Sequence, residues 1–252
     1  MMPRVIVLSD VHGNLPALRA VVAALPDHDA AVVAGDHCLD GPDPAEVMDL
    51  LAELGWPLLL GNTDRDIVTP PADLKPLKRR VVEWTRRQLG AGRLQRLAQL
   101  DFSARIRPDN PVPVTRAAGE PEAPDRPGDR RSLLAVHANP RNLEDHLRPT
   151  MSEEELQPYL AGVDAGILAF GHLHIPYVRR VGDLLLVDVA SVGHPRDGDL
   201  RACFSLLTWD GHAWSARQER VPYDVEETVH RLRRCGMPDA EKQVNALLKA
   251  SY

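Results

Sequence analysis

The stretch Arg4-Val-Ile-Val-Leu-Ser-Asp-Val-His-Gly-Asn14 decides how this chain is read. Val5 to Leu8 is an unbroken apolar run, too short for a helix and β-branched enough for a strand buried on both faces. The run breaks into Ser9, Asp10, Val11, His12, Gly13 and Asn14. In extended backbone, residues two apart point to the same side. In an open α/β sheet, the C-terminal end of a buried strand is where ligands bind. A carboxylate and an imidazole at that place suit a metal ion. Gly13 permits a sharp turn, and Asn14 is placed to cap the next helix.

The same rhythm continues outward. Residues 14–25 read as a helix with Leu15, Leu18, Val21, Val22 and Leu25 on one face. A second buried strand over 30–34 ends in Gly35-Asp36-His37. Asp43 caps a helix running to Leu54, with Pro44 at its first position. A third strand over 57–60 ends in Gly61-Asn62-Thr63-Asp64. This βαβαβ order predicts a parallel sheet with right-handed crossovers.

Farther along, 73–99 is expected to be helical with a break near Gly90 to Gly92. A strand follows over 102–107, then a stretch rich in Pro, Gly and charge over 108–131. Its middle, 117–130, reads as a mobile loop. Residues 132–136 form a strand ending in His137, 141–147 a short helix, and Ser152 caps another. A strand over 166–170 ends in Gly171-His172-Leu173-His174. Hairpins are expected for 177–181 with 184–189 over Gly182-Asp183, and for 203–209 with 212–220 over Asp210-Gly211. Helices over 224–234 and 239–250 close the chain. The expectation is an α/β fold in which two facing sheets, flanked by helices, bury these elements in one domain spanning 1–252.

Composition narrows the function. The formal net charge of −6 over 252 residues argues against a nucleic acid or an anionic membrane as partner. Aromatic residues make up 4% of the chain, too few for a base-stacking platform. The three cysteines, Cys38, Cys203 and Cys235, lack C-x-x-C spacing, which points to a reducing compartment without a disulfide framework. The chain enters a strand at once, with no leader-like segment, and no apolar run reaches membrane-spanning length. A cytoplasmic protein is expected.

Five segments end in polar clusters after apolar runs: Asp10/His12, Asp36, Asn62, His137 and His172/His174. Oxygen ligands mixed with imidazoles suit manganese, iron or zinc better than calcium. Seven donors are too many for one open catalytic metal and suit two, with one carboxylate bridging. In their order, Asp-x-His-Gly, Gly-Asp, Gly-Asn-x-Asp, a lone strand-end His and Gly-His-x-His resemble the calcineurin-like metallophosphoesterases. The wider wording Ser9-Asp-Val-His-Gly-Asn14, Gly41-Pro-Asp-Pro44 and Ser191-Val-Gly-His-Pro-Arg-Asp197 is similar to the small bacterial phosphodiesterase and phosphatase branch. The resemblance implies a four-layer α/β/β/α sandwich. It implies that Asp10, His12, Asp36 and His174 hold one metal, and that Asp36, Asn62, His137 and His172 hold the other. The cofactors it implies are two divalent ions, manganese first, with iron, zinc, nickel or magnesium as alternatives. The implied reaction is hydrolysis of a small phosphodiester or phosphomonoester by a hydroxide bridging the two metals. A metal-binding scaffold without activity, and a nuclease acting on short single strands, are the alternatives.

One position departs from the pattern. Many relatives carry a His where this chain has Thr63, and that His is thought to protonate the leaving oxygen. Thr63 is no comparable acid, so either the substrate has a good leaving group or the proton comes from elsewhere. His194 is the candidate source, the alternative being a solvated loop residue, and Arg196 is a candidate to hold a phosphate oxygen. His37 is expected to face away from the metals, Asp40 to be a turn residue, and Cys38 to be a small buried hydrophobe. Arg141, His28, His146, His212 and His230 are expected at the surface or in turns.

Overall fold

A computed structural model describes residues 2–119 and 130–251. The loop expected over 117–130 falls, but for its ends, outside the described residues. The opening strand β1 (Arg4–Leu8) pairs in parallel with β2 (Ala30–Val33). It pairs antiparallel with β9 (Ala202–Trp209), which in turn pairs with β10 (Trp214–Val221). These strands form a four-stranded sheet in the order β10-β9-β1-β2. The second sheet has six strands: β3 (Ser103–Arg107), β4 (Asn110–Arg116), β5 (Leu133–Val136), β6 (Ile167–Phe170), β7 (Tyr177–Val181) and β8 (Leu184–Asp188). Their order is β4-β3-β5-β6-β8-β7, with β5, β6 and β8 parallel.

The period-2 alternation of the strands builds the sandwich. Val5 and Val7 of β1 meet Leu133 and Ala135 of β5, Ile167 and Ala169 of β6, and Val187 of β8 in the core between the sheets. The other faces carry separate cores. Ile6, Leu8 and Phe204 pack under α1 (Leu15–Ala24) and α2 (Pro44–Leu54). Leu134, Leu168 and Phe170 pack under Leu156 of α5 (Glu153–Leu160). Because both faces of β1 are buried, its sequence is apolar throughout. A helical core joins Met48 of α2, Ile67 of α3 (Asn62–Val68) and Trp84 of α4 (Pro76–Leu97) to α6 (Val225–Arg234) and α7 (Ala240–Lys249). The architecture is therefore two sheets flanked by helices. No helix among the described residues is long and apolar enough to cross a membrane.

Several local expectations hold for the reasons given. Asn14 caps α1 through Ala17 N (3.1 Å), and Ser152 caps α5 through Glu155 N (3.2 Å). Helix α4 breaks at Gly90. All three cysteines are free. Others are corrected. Residues 57–60 pair only through isolated parallel bridges, Val33 with Leu58 and Leu59 with Asp101, so they run beside β2 without forming a full strand. Asp43 precedes α2 but makes no side-chain cap, because its carboxylate binds Arg231 at 3.0 Å. The helix expected over 141–147 is absent. Asn139 Oδ1 accepts from Arg141 N and Asn142 N, and Asn142 Oδ1 accepts from Glu144 N and Asp145 N, so side chains take the bonds a helix needs. Strand β4, inside the Pro-rich stretch, was not expected. It is an edge strand, where Pro111 and Pro113 are tolerated.

Candidate metal centre

The C-terminal ends of β1, β2, β5 and β6 lie on one rim, and the turns that follow are knitted together. Asp10 N donates to Gly35 O, His12 N to Asp36 O, Gly171 N to His137 O, and Gly193 N to Asp10 O, at 2.8–3.0 Å. Those turns carry an unusual backbone. Asp10, His12, Asp36, His172 and His174 all have φ between 48° and 67°. The left-handed region costs a side-chain-bearing residue roughly 1–2 kcal/mol. Five such residues on one rim store strain where side chains must be aimed. Close approach is also built in: a Cβ at Gly61 would overlap Asp36 Oδ1, and one at Gly171 would overlap Asp10 Oδ2.

All seven expected donors are brought together, and most are buried: Asp10, His12, Asp36, His137 and His174 fully, Asn62 and His172 partly. Asp10, His12 and Asp36 each offer an atom within 4.8 Å of the others, as do Asp36, His137 and His172, so Asp36 is common to both groups. His174 Nε2 is 3.0 Å from Asp10 Oδ1 and 3.3 Å from His12 Nε2. His137 Nε2 is 3.0 Å from Asn62 Oδ1 and 3.5 Å from Asp36 Oδ1.

Protons decide what this arrangement wants. Nδ1 of His12, His137 and His174 faces the carbonyl of Leu39, Ala34 and His194 respectively, at 2.5–2.8 Å. A carbonyl only accepts, so each Nδ1 carries a proton, and each ring in its neutral form turns a lone pair inward from Nε2. His172 is reversed, with Nε2 held by Glu144 O at 2.9 Å. The result is lone pairs facing lone pairs. Asp10 Oδ1 is buried among them without a hydrogen-bond partner among the described residues. Only positive charge relieves such a convergence, so the residues fit divalent cations. The electrostatics show the same demand for positive charge. Burial alone would lower His137, yet Asp36 and Asp10 outweigh it and hold the ring above the ordinary histidine range. Burial would raise Asp10, yet His174, with His137 and His12 beyond it, holds the carboxyl below the carboxylate range.

The supporting residues were less legible. Asp64, buried at the start of α3, accepts from Asp36 N (2.8 Å), His37 N (3.0 Å), Gly61 N (3.0 Å) and His37 Nδ1 (2.8 Å). It fixes the turn that presents Asp36. Its signal was an acid three residues into a helix behind Gly61. His37 faces away from the cluster, as expected, toward Asp64. His146 is not an isolated surface or turn residue. Its ring stacks on His172 with centroids 4.3 Å apart, and burial followed by His172 lowers it to about 4. Arg141 donates to Ala161 O, away from the centre.

His194 is buried, not a solvated loop residue, with its ring centroid 5.6 Å from His12 and 5.9 Å from His174. Burial, then His12 and His174, push it well below the histidine range. With Arg196 it lines a cleft of about 350 Å³. Asp40 is more than a turn residue: it receives Lys78 Nζ at 2.8 Å and Gln243 Nε2 at 3.1 Å. Thr63 donates its backbone N–H to Asp36 Oδ1 at 2.9 Å, while its buried hydroxyl has no partner among the described residues.

A two-sheet sandwich with a shared-carboxylate Asp/His/Asn cluster on its rim defines the metallophosphoesterase class. A family model described as the calcineurin-like phosphoesterase superfamily domain matches residues 3–212, and the chain belongs to that superfamily. It is 25% identical over 254 residues to an uncharacterized protein of Methanocaldococcus jannaschii, covering 92% of this chain and 93% of the other. A metallophosphoesterase from Sphaerobacter thermophilus has the same fold, with a TM-score of 0.75 at 24% identity over 98% of this chain and 99% of that one. So does a hypothetical protein from Pyrococcus horikoshii, with a TM-score of 0.79 at 16% identity over 98% of each chain.

Proposed function

We propose that this protein is a dinuclear metal-dependent hydrolase of a small phosphodiester or phosphomonoester. The observation that carries the reading is the pair of lone-pair clusters that share Asp36. Asp10, His12, Asp36 and His174 would hold one divalent ion, and Asp36, Asn62, His137 and His172 the other, with manganese the first candidate. When bound, such a pair neutralises phosphate oxygens and lowers the pKa of water held between the ions.

The chain's own residues do the rest. The carbonyls of Leu39, Ala34 and His194 orient three imidazoles, and Glu144 O with the stacked His146 orients the fourth. Positioning of this kind contributes much of the rate in phosphoryl transfer. His194, buried against His12 and His174 and kept neutral by burial, donates a hydrogen bond to the leaving oxygen and is not the proton source expected from the sequence. Arg196 binds a non-reacting phosphate oxygen.

The test compares bis-nitrophenyl phosphate with nitrophenyl phosphate, with added manganese and with chelator. Hydrolysis of at least one ester, abolished by chelator and restored by manganese, is expected. Bound metal with turnover of neither ester would overturn the hydrolase reading in favour of a scaffold. His194→Ala should cost more rate on alkyl esters than on nitrophenyl esters, because only the poor leaving group needs a donor. Equal losses on both would remove His194 from that role.

A further inference from the structure

We infer that the cleft beside His194 receives a second phosphate group of the substrate, which makes the substrate class a small molecule carrying an oligophosphate chain. The inference deepens the hydrolase reading and rests on it for its meaning. Its physical basis is separate.

The cleft, about 350 Å³, opens between the start of α4 and the start of α7 and is lined by Lys75, Lys78, Arg196 and Lys242 among others. Cations in this chain are almost all arginine: only Lys75, Lys78, Lys242 and Lys249 are lysines among 30 basic residues. Three of those four lysines converge on this one cleft from two distant segments. Against the four cations stand two acids in the lining, Asp40 and Asp239, so the wall is +4 − 2 = +2 in a chain of net charge −6. Asp40 is already engaged by Lys78 and Gln243. Lys75 and Lys242 are exposed and have no acidic partner within ion-pair distance among the described residues. Uncommitted ammonium groups gathered against the net charge of the molecule are an anion site, and lysine binds phosphate as a point charge.

The cleft adjoins the histidine cluster at His194, whose ring centroid is 5.6 Å from His12 and 5.9 Å from His174. Asp40, His194 and Gln243 line both it and an adjoining recess of about 20 Å³ that reaches His12. A ligand with one phosphate at the histidine cluster would have the lysine-lined cleft on the far side of His194, within reach of a second phosphate. A monoester of a neutral alcohol would leave this charge unused.

The experiment titrates the full chain, in chelator, with inorganic tripolyphosphate and separately with orthophosphate, read by calorimetry. Tripolyphosphate should bind about tenfold tighter than orthophosphate and weaken as salt is raised. The double variant Lys75→Gln/Lys242→Gln should lose about fivefold or more of that affinity, with an unchanged melting curve because both side chains are exposed. Lys249→Gln, on the same helix α7 but outside the cleft lining, should bind as the unaltered chain does. Equal affinity for the two anions, a double variant that binds normally, or an equal loss in Lys249→Gln would overturn the assignment. Binding here involves neither a bound metal nor turnover. A failure of ester hydrolysis therefore strikes the hydrolase reading alone, and a failure of tripolyphosphate binding strikes this site alone.

Discussion

Single residues carry the centre in two tiers. The donors themselves were legible, because each sits where an apolar run stops and its partner types recur in order. The residues that aim them were not. Asp64 holds three backbone N–H groups and the His37 ring around Asp36. Replacing it with Asn puts an amide N–H against donors that previously met an acceptor. Asp64→Asn should therefore cost about 2–4 kcal/mol of stability, measured by urea unfolding. It should also lower metal stoichiometry, measured by elemental analysis, because the Asp36 turn loses its anchor. A variant as stable and as fully loaded as the unaltered chain would show that the turn holds itself. His146 was invisible for a similar reason: its stacking on His172 depends on a loop whose path is set by Asn139 and Asn142, not by any local pattern.

At the scale of elements, hydrophobic period and turn chemistry located nearly every strand and helix. Where they failed, a competing bond explains it: asparagine side chains in 139–147, isolated bridges in 57–60, and edge tolerance of proline in β4. The break in α4 offers a matched pair of substitutions. Gly90 has φ 67° and ψ 175°, a conformation nearly confined to glycine, and a Cβ there would touch nothing within 4 Å. Gly90→Ala should destabilise by about 1–3 kcal/mol through backbone strain alone. Gly92, also unobstructed but helical, should gain about 0.5–1 kcal/mol on substitution by Ala. Chemical denaturation of both variants checks the pair; shifts of the same sign would mean the break is not fixed by Gly90.

The whole molecule shows its design in what the sandwich buries. Asp188, at the end of β8, is fully buried, and burial raises its carboxyl well above the carboxylate range despite the bond from Ala190 N at 2.8 Å. The folded state thus keeps a proton that the unfolded chain releases as pH climbs past its ordinary value of 3.8. Stability from this group is complete below that value and is lost as pH rises toward the folded one. Asp188→Asn keeps the acceptor for Ala190 and never ionises. Its stability relative to the unaltered chain should therefore grow from pH 4 to pH 7, as read from denaturant midpoints. A difference that stays flat over that range would show that Asp188 is not a buried neutral acid. By itself, the sequence determined most of the strands and helices and singled out the seven candidate donors, because period, apolar runs and the residues that end them are local properties. Tertiary structure alone decided which lone pairs face one another, that His194 is buried, and that Lys75 and Lys242 share a cleft. Those facts depend on distances between segments remote in the chain, which are set only when two sheets close on a common core.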